Sequence, residues 1–157
     1  MKFETFNKRQ AERLEKFVAK RETAKDKHNY IIANANGELW FGDTTALSRV
    51  VCDDFNKEIC GNFSFLSQML ESFKNSIKDY TPANVTEGTS KQCKKVLRLS
   101  TPYGESYINA KLLPELPKGS VYMVSNVKTG KVPVWVIYED VVIGLVCPIL
   151  GCDFMEA

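Results

Sequence analysis

The stretch from Tyr30 to Gly42 constrains this chain more than any other part of it. Tyr30-Ile31-Ile32-Ala33 and Glu38-Leu39-Trp40-Phe41-Gly42 are rich in β-branched and aromatic residues, with Asn34-Ala35-Asn36-Gly37 between them. Asparagine followed by glycine accepts the positive φ angles that a tight turn imposes on its central residues. The two runs are therefore expected to pair as an antiparallel hairpin.

Ahead of the hairpin, Met1, Phe3 and Thr5 alternate with polar residues, which suggests a short first strand ending near Phe6, with Asn7 capping the helix that follows. From Lys8 to about Lys25 the period is helical, and Ala11, Leu14, Phe17 and Val18 fall on one narrow apolar stripe. Arg9, Arg13, Lys16 and Lys20 are spaced i, i+4, i+7, i+11 and are expected to line the opposite side. Glu12, Glu15 and Glu22 fall on its flank. After the hairpin, Ala46 to Asp53 alternates as a third strand would. Leu66, Met69, Leu70, Phe73 and Ile77 then recur at helical spacing behind the possible caps Asn62 and Ser64, which predicts a second amphipathic helix.

Asp79 to Lys95 holds Pro82, Gly88, Lys91, Lys94 and Lys95 with no apolar period, so residues 79–95 are expected to be a mobile linker between two halves. Strands are expected next at Val96–Leu99 and Ser106–Ile108, then a short helical piece over Ala110–Glu115. Two more strands, Ser120–Val127 and Val132–Tyr138, flank the turn Lys128-Thr129-Gly130-Lys131. A last one, Val141–Val146, ends at Cys147-Pro148. The pattern predicts an α+β chain of two βαβββ-type units, with mostly antiparallel sheets and two main amphipathic helices. With 157 residues, 44% hydrophobic and 25% charged, it has the length and composition of a single domain over 1–157.

Composition also narrows the function classes. The longest apolar candidate, Val132 to Leu150, is broken by Glu139, Asp140 and two prolines, so no membrane span is expected. The N-terminus becomes charged at once, unlike a secretory signal, and a cytoplasmic location is expected. Cys52, Cys60, Cys93, Cys147 and Cys152 are odd in number and irregular in spacing, which favours reduced thiols over a disulfide framework and fits no zinc signature. His28, the single histidine, sits among Lys25, Asp26, Lys27 and Asn29, where an exposed loop is the simpler reading. The adjacent acids Asp53-Asp54 and Glu139-Asp140 point apart along a strand or turn. No glycine-rich phosphate loop or nucleophile elbow occurs. The expectation is a binding domain with no catalytic residue, metal or cofactor.

Laid out in this order, the chain resembles the DNA sliding clamp family, the processivity factors of replicative polymerases. Met1-Lys2-Phe3 followed by the Lys8–Lys20 helix looks like the opening of a bacterial clamp. Asn36-Gly37-Glu38-Leu39 with Asp43-Thr44-Thr45-Ala46-Leu47-Ser48 is similar to that family's hairpin, and Tyr107-Ile108-Asn109-Ala110-Lys111-Leu112-Leu113 to a later segment. Leu145-Val146-Cys147-Pro148-Ile149-Leu150 looks like its terminal strand.

The resemblance implies a clamp-like fold whose first helix faces double-stranded DNA without regard to sequence. Arg9, Arg13, Lys16 and Lys20 would then track phosphates, releasing counterions. It also implies an apolar pocket at Leu145, Val146, Cys147, Pro148 and Ile149 that accepts short peptides from replication or repair proteins. Bacterial clamps join three such domains, whereas this chain has room for one, so a ring would need a homo-oligomer. The rival expectation is a protein-interaction or inhibitor domain of a phage or mobile element. It makes no DNA contact, and its basic stripe is a solvated face paired with neighbouring glutamates.

Overall fold

A computed structural model describes residues 1–52 and 64–157. Helix α1 covers Phe3–Thr23, strands β1, β2 and β3 cover Ile31–Ala35, Glu38–Gly42 and Ala46–Val50, and helix α2 covers Ser64–Asn75. Strands β4 (Tyr80–Pro82), β5 (Asn84–Thr89), β6 (Val96–Thr101) and β7 (Gly104–Asn109) follow. The chain then forms β8 (Val121–Ser125), β9 (Val134–Tyr138), β10 (Val141–Val146) and β11 (Met155–Glu156). The possible cap Asn62, the acidic pair Asp53-Asp54 and Cys60 lie outside the described residues.

The hairpin forms as its turn chemistry dictates. Ala35 faces Glu38 across a two-residue turn in which Asn36 has φ 53° and Gly37 φ 83°. The Asn34 side chain accepts a hydrogen bond from the Gly37 N–H at 3.1 Å, closing the turn locally. All pairing among the described strands is antiparallel, in a seven-stranded sheet of order β1-β2-β3-β10-β9-β8-β4 and a four-stranded sheet of order β11-β5-β6-β7. This is an α+β architecture.

Two expectations are corrected. No strand precedes α1 among the described residues, because the helix already begins at Phe3. Phe3, read as an alternating strand position with Met1 and Thr5, is instead a helical neighbour of Phe6, three residues on, and their rings stack at 6.1 Å. Asn7 is therefore inside the helix, and Lys2 stands at its N-cap without a side-chain bond. The repeat expected to begin with a strand begins with a helix instead. The segment 79–95, expected as a linker, contains β4 and β5, which pair with β8 and β6. Residues 110–115 hold one turn of 3-10 helix, Ala110–Leu112.

The seven-stranded sheet is covered on both faces, which follows from the alternation of side chains along its strands. On one face Ala33, Trp40, Leu47, Trp135 and Leu145 meet Leu66, Leu70 and Phe73 of α2, with Phe73 stacked on Trp135 at 4.9 Å. On the other face, α1 lays Leu14 against Ile32, Phe41 and Val50, and Phe6 against Val136 and Ile143. The rest of that face is taken by the four-stranded sheet, whose Leu97, Leu99 and Ile108 pack on Val124, Val134 and Val146. Each such large apolar side chain contributes about 1.5–3 kcal/mol when fully buried. Three layers result, with the large sheet in the middle.

Candidate functional site

The sequence points to two places, and the first is the cationic edge of α1. Phe6, Gln10 and Leu14 are the buried residues of this helix. At 3.6 residues per turn, their line lies about a quarter-turn from the line through Arg9, Arg13, Lys16 and Lys20. The cations thus border the packed face and do not stand opposite it. The reason is Gln10, a polar residue that is fully buried: its Nε2 donates to the Arg49 carbonyl on β3 at 2.9 Å, which turns the helix towards the cationic side.

That rotation separates the four cations into two kinds. Arg9 pairs with Glu115 at 2.9 Å, both side chains remaining more than half exposed. Arg13 donates to the Gln10 side-chain oxygen and lies over the Phe41 ring at 5.6 Å, and its burial lowers the guanidinium pKa from the ordinary value. Lys16 and Lys20 are exposed and make no ion pair among the described residues. The adjoining Glu12 and Glu15 form no ion pair with them, so the expected glutamate pairing is replaced by one partner from a distant loop.

The second place is the end of β10. Leu145 and Cys147 line an apolar cavity of about 230 Å³ together with Ile31, Leu47, Phe65, Met69 and Pro133. Val146 points the other way, fully buried between the two sheets. Pro148 and Ile149 lie past the cavity, and the Ile149 N–H donates to the Tyr107 carbonyl at 2.7 Å. Of the five residues expected to form a pocket, the structure brings two to it.

The cavity rim is built by a short loop. The Asp43 carboxylate accepts from the Thr45 and Ala46 N–H groups at 2.8 and 3.1 Å, and the Asp43 N–H donates to the Ala46 carbonyl. Cys147 ties the strand end to this loop through its N–H, 2.8 Å from the Thr45 carbonyl, and its thiol, 3.6 Å from the Thr44 carbonyl. Burial pushes the Cys147 thiol pKa up, and the neighbouring Asp43 charge adds to the rise. A thiol held protonated in this way is a weak nucleophile. What the rim can do is receive an apolar group beside a polar loop.

Met69 and Pro133 escaped the sequence reading because each resembles ordinary core or loop material; only the helical period of α2 signals that Met69 faces the sheet. Among the described residues no group of three or more His, Cys, Asp or Glu could hold a metal ion. His28 is exposed in a 3-10 turn, its N–H bonded to the Asp26 carboxylate at 2.9 Å. No helix among the described residues is long and apolar enough to cross a membrane. No known protein family, curated protein or solved structure matches this chain.

Proposed function

We propose that this chain is a binding domain that docks a short peptide of a partner protein in the cavity where β10 ends. The observation that carries this reading is the cavity itself: apolar walls from α2, β3 and β10, opening beside a polar loop that could orient an extended chain. The resemblance to sliding clamps supports the same location, since clamps receive peptides of replication and repair proteins at their terminal strand. To test it, a displayed random-peptide library would be selected against the folded chain. Enriched peptides should carry a large apolar anchor and lose about tenfold in affinity, or about 1.4 kcal/mol, against Met69→Glu. Thr44→Trp, at an exposed rim position, should weaken the same peptides without touching the core. No enrichment, or affinity indifferent to both variants, overturns the proposal.

A second reading, contact of the clamp-like domain with DNA through α1, is favoured by the exposure of Lys16 and Lys20 without ion pairs. Binding of labelled duplex, followed by anisotropy, would depend on salt, each phosphate contact contributing about 0.9 to the logarithmic slope. Reversing both lysines to glutamate should lower that slope by roughly 1.8 if each meets one phosphate. An unchanged slope, or no binding at low salt, leaves the protein-docking reading alone.

A further inference from the structure

The last residues of the chain form a strap over the four-stranded sheet. Beginning at Ile149 on the β7 edge, the strap ends on the opposite side, where Met155 and Glu156 pair with Thr89 and Gly88 of β5. Between these anchors the Phe154 ring lies 5.1 Å from the Arg98 guanidinium and 5.6 Å from the Tyr107 ring. Gly88 makes room for it: a Cβ there would stand 2.3 Å from the Met155 carbonyl and 2.4 Å from the Phe154 ring.

The strap passes directly beside a tight turn. Ser90 and Cys93 close that turn, with the Ser90 N–H donating to the Cys93 carbonyl at 2.9 Å and the Cys93 N–H to the Ser90 hydroxyl at 3.0 Å. Continued past Met155 and Thr89, the strand register sets Asp153 opposite Lys91, and the Lys91 N–H donates to the Asp153 carboxylate at 3.2 Å. Continued by one more residue, the same register sets Cys152 opposite Gln92, the chain neighbour of Cys93. The Cys152 thiol also lies near the Ser90 hydroxyl that holds the Cys93 backbone. Both cysteines are free and half-exposed. The Cys152 thiol lies close enough to Cys93 to feel its charge, and a disulfide needs Cα atoms roughly 4.4–6.8 Å apart.

We propose that Cys93 and Cys152 form a reversible disulfide that staples the C-terminal strap to the Ser90–Cys93 turn, by exchange with a low-molecular-weight disulfide such as oxidised glutathione. One cysteine thiolate attacks a glutathione sulfur, breaking its S–S bond, forming a mixed disulfide and releasing one glutathione thiolate. Burial, and then the Asp153 charge, raise the Cys152 thiol pKa, so Cys152 is the slower, resolving partner; as its thiolate it attacks the Cys93 sulfur and releases the other glutathione thiolate. Two protein thiols are oxidised, one small disulfide is reduced, and the two protons end on the two glutathiones. Cys52, packed beside α1, and Cys147, at the cavity, lie in other parts of the fold. The reduced strap is held by its ladder bonds, the Lys91–Asp153 bond and the Phe154 contacts, and the disulfide adds a covalent tie to these.

The test uses the full chain equilibrated in glutathione buffers of graded ratio. Free thiols are then blocked, and the protein is mapped by non-reducing digestion and mass spectrometry. The expected product links the peptides bearing Cys93 and Cys152, and vanishes in both Cys93→Ser and Cys152→Ser. Hydrogen exchange of residues 150–157 should slow by about tenfold or more on linkage. Glutathione adducts without an internal link, a link to another cysteine, or strap exchange unaffected by linkage would each overturn the proposal. It is independent of whether the cavity binds a peptide, and the readouts do not involve one.

Discussion

Gln10 shows how one polar side chain can decide the exposure of four charged ones. Fully buried, it bonds to the Arg49 carbonyl through its nitrogen and receives Arg13 on its oxygen. In Gln10→Leu the Arg49 carbonyl loses a buried partner and Arg13 loses an anchor. A loss of about 1–3 kcal/mol in urea unfolding is expected, whereas an unchanged midpoint would mean the helix does not depend on this bond. The sequence displayed Ala11, Leu14, Phe17 and Val18 as the dry stripe, and Leu14 is indeed buried while the others are half-buried. Gln10 was invisible there, because an amide in a charged helix gives no sign of being inside. Titration acts at the same scale. Burial raises the phenol pKa of Tyr80 and Tyr122, and a hydrogen bond to Glu105, then burial, raises that of Tyr107. In each case the folded chain holds its proton above the ordinary value of 10.0, where the unfolded chain releases it. Stability from these groups is present below that pH and falls as pH rises through the folded values. The urea midpoint should decline as pH rises above about 10, less steeply in Tyr122→Phe; parallel curves for the two proteins would contradict this.

Among the elements, legibility follows locality. The β1–β2 hairpin could be read because Asn36 and Gly37 carry the turn in their own backbone preferences, and β10 because its run of valine, isoleucine and leucine is broken only by Gly144. By contrast, β5 is Asn84–Thr89, largely exposed and without an apolar face, and it is a strand because β6 and β11 pair with it. Nothing within its own six residues says so. Gly88 belongs to this element and carries its sharpest test. Gly88→Ala forces the new methyl group into the Met155 backbone and the Phe154 ring, so the strap should lift while β5–β6 pairing persists. Hydrogen exchange should rise in residues 150–157 and remain slow in 96–99; equal protection of the tail in both proteins would show that the contact is not tight. At the cavity, Leu145 and Cys147 were legible through the resemblance of the terminal strand. The walls from Met69 and Pro133 were not: Met69 arrives from α2, far away in the chain, and Pro133 stands just before β9, where nothing in the sequence marks it as a wall.

For the whole molecule, the middle sheet joins everything else. Trp40 and Trp135 are both buried beneath α2, while α1 and the four-stranded sheet press on the reverse of the same strands. Unfolding followed by tryptophan fluorescence and by far-ultraviolet circular dichroism should therefore give one coincident transition. Two separated transitions would mean that the smaller sheet melts alone. Composition could announce helices and antiparallel strands, but not which strands become neighbours, because pairing between distant segments leaves little local trace. The clearest example is β10, Val141–Val146, which fits between β3, Ala46–Val50, and β9. During synthesis, β3 leaves the ribosome long before its inner neighbour is made. At roughly 5–20 residues per second, the nascent chain waits about 5–20 s with that edge open. Over that interval an unfinished sheet is offered to any other emerging strand, so folding in a cell is tied to the pace of translation and to chaperones that shield the gap.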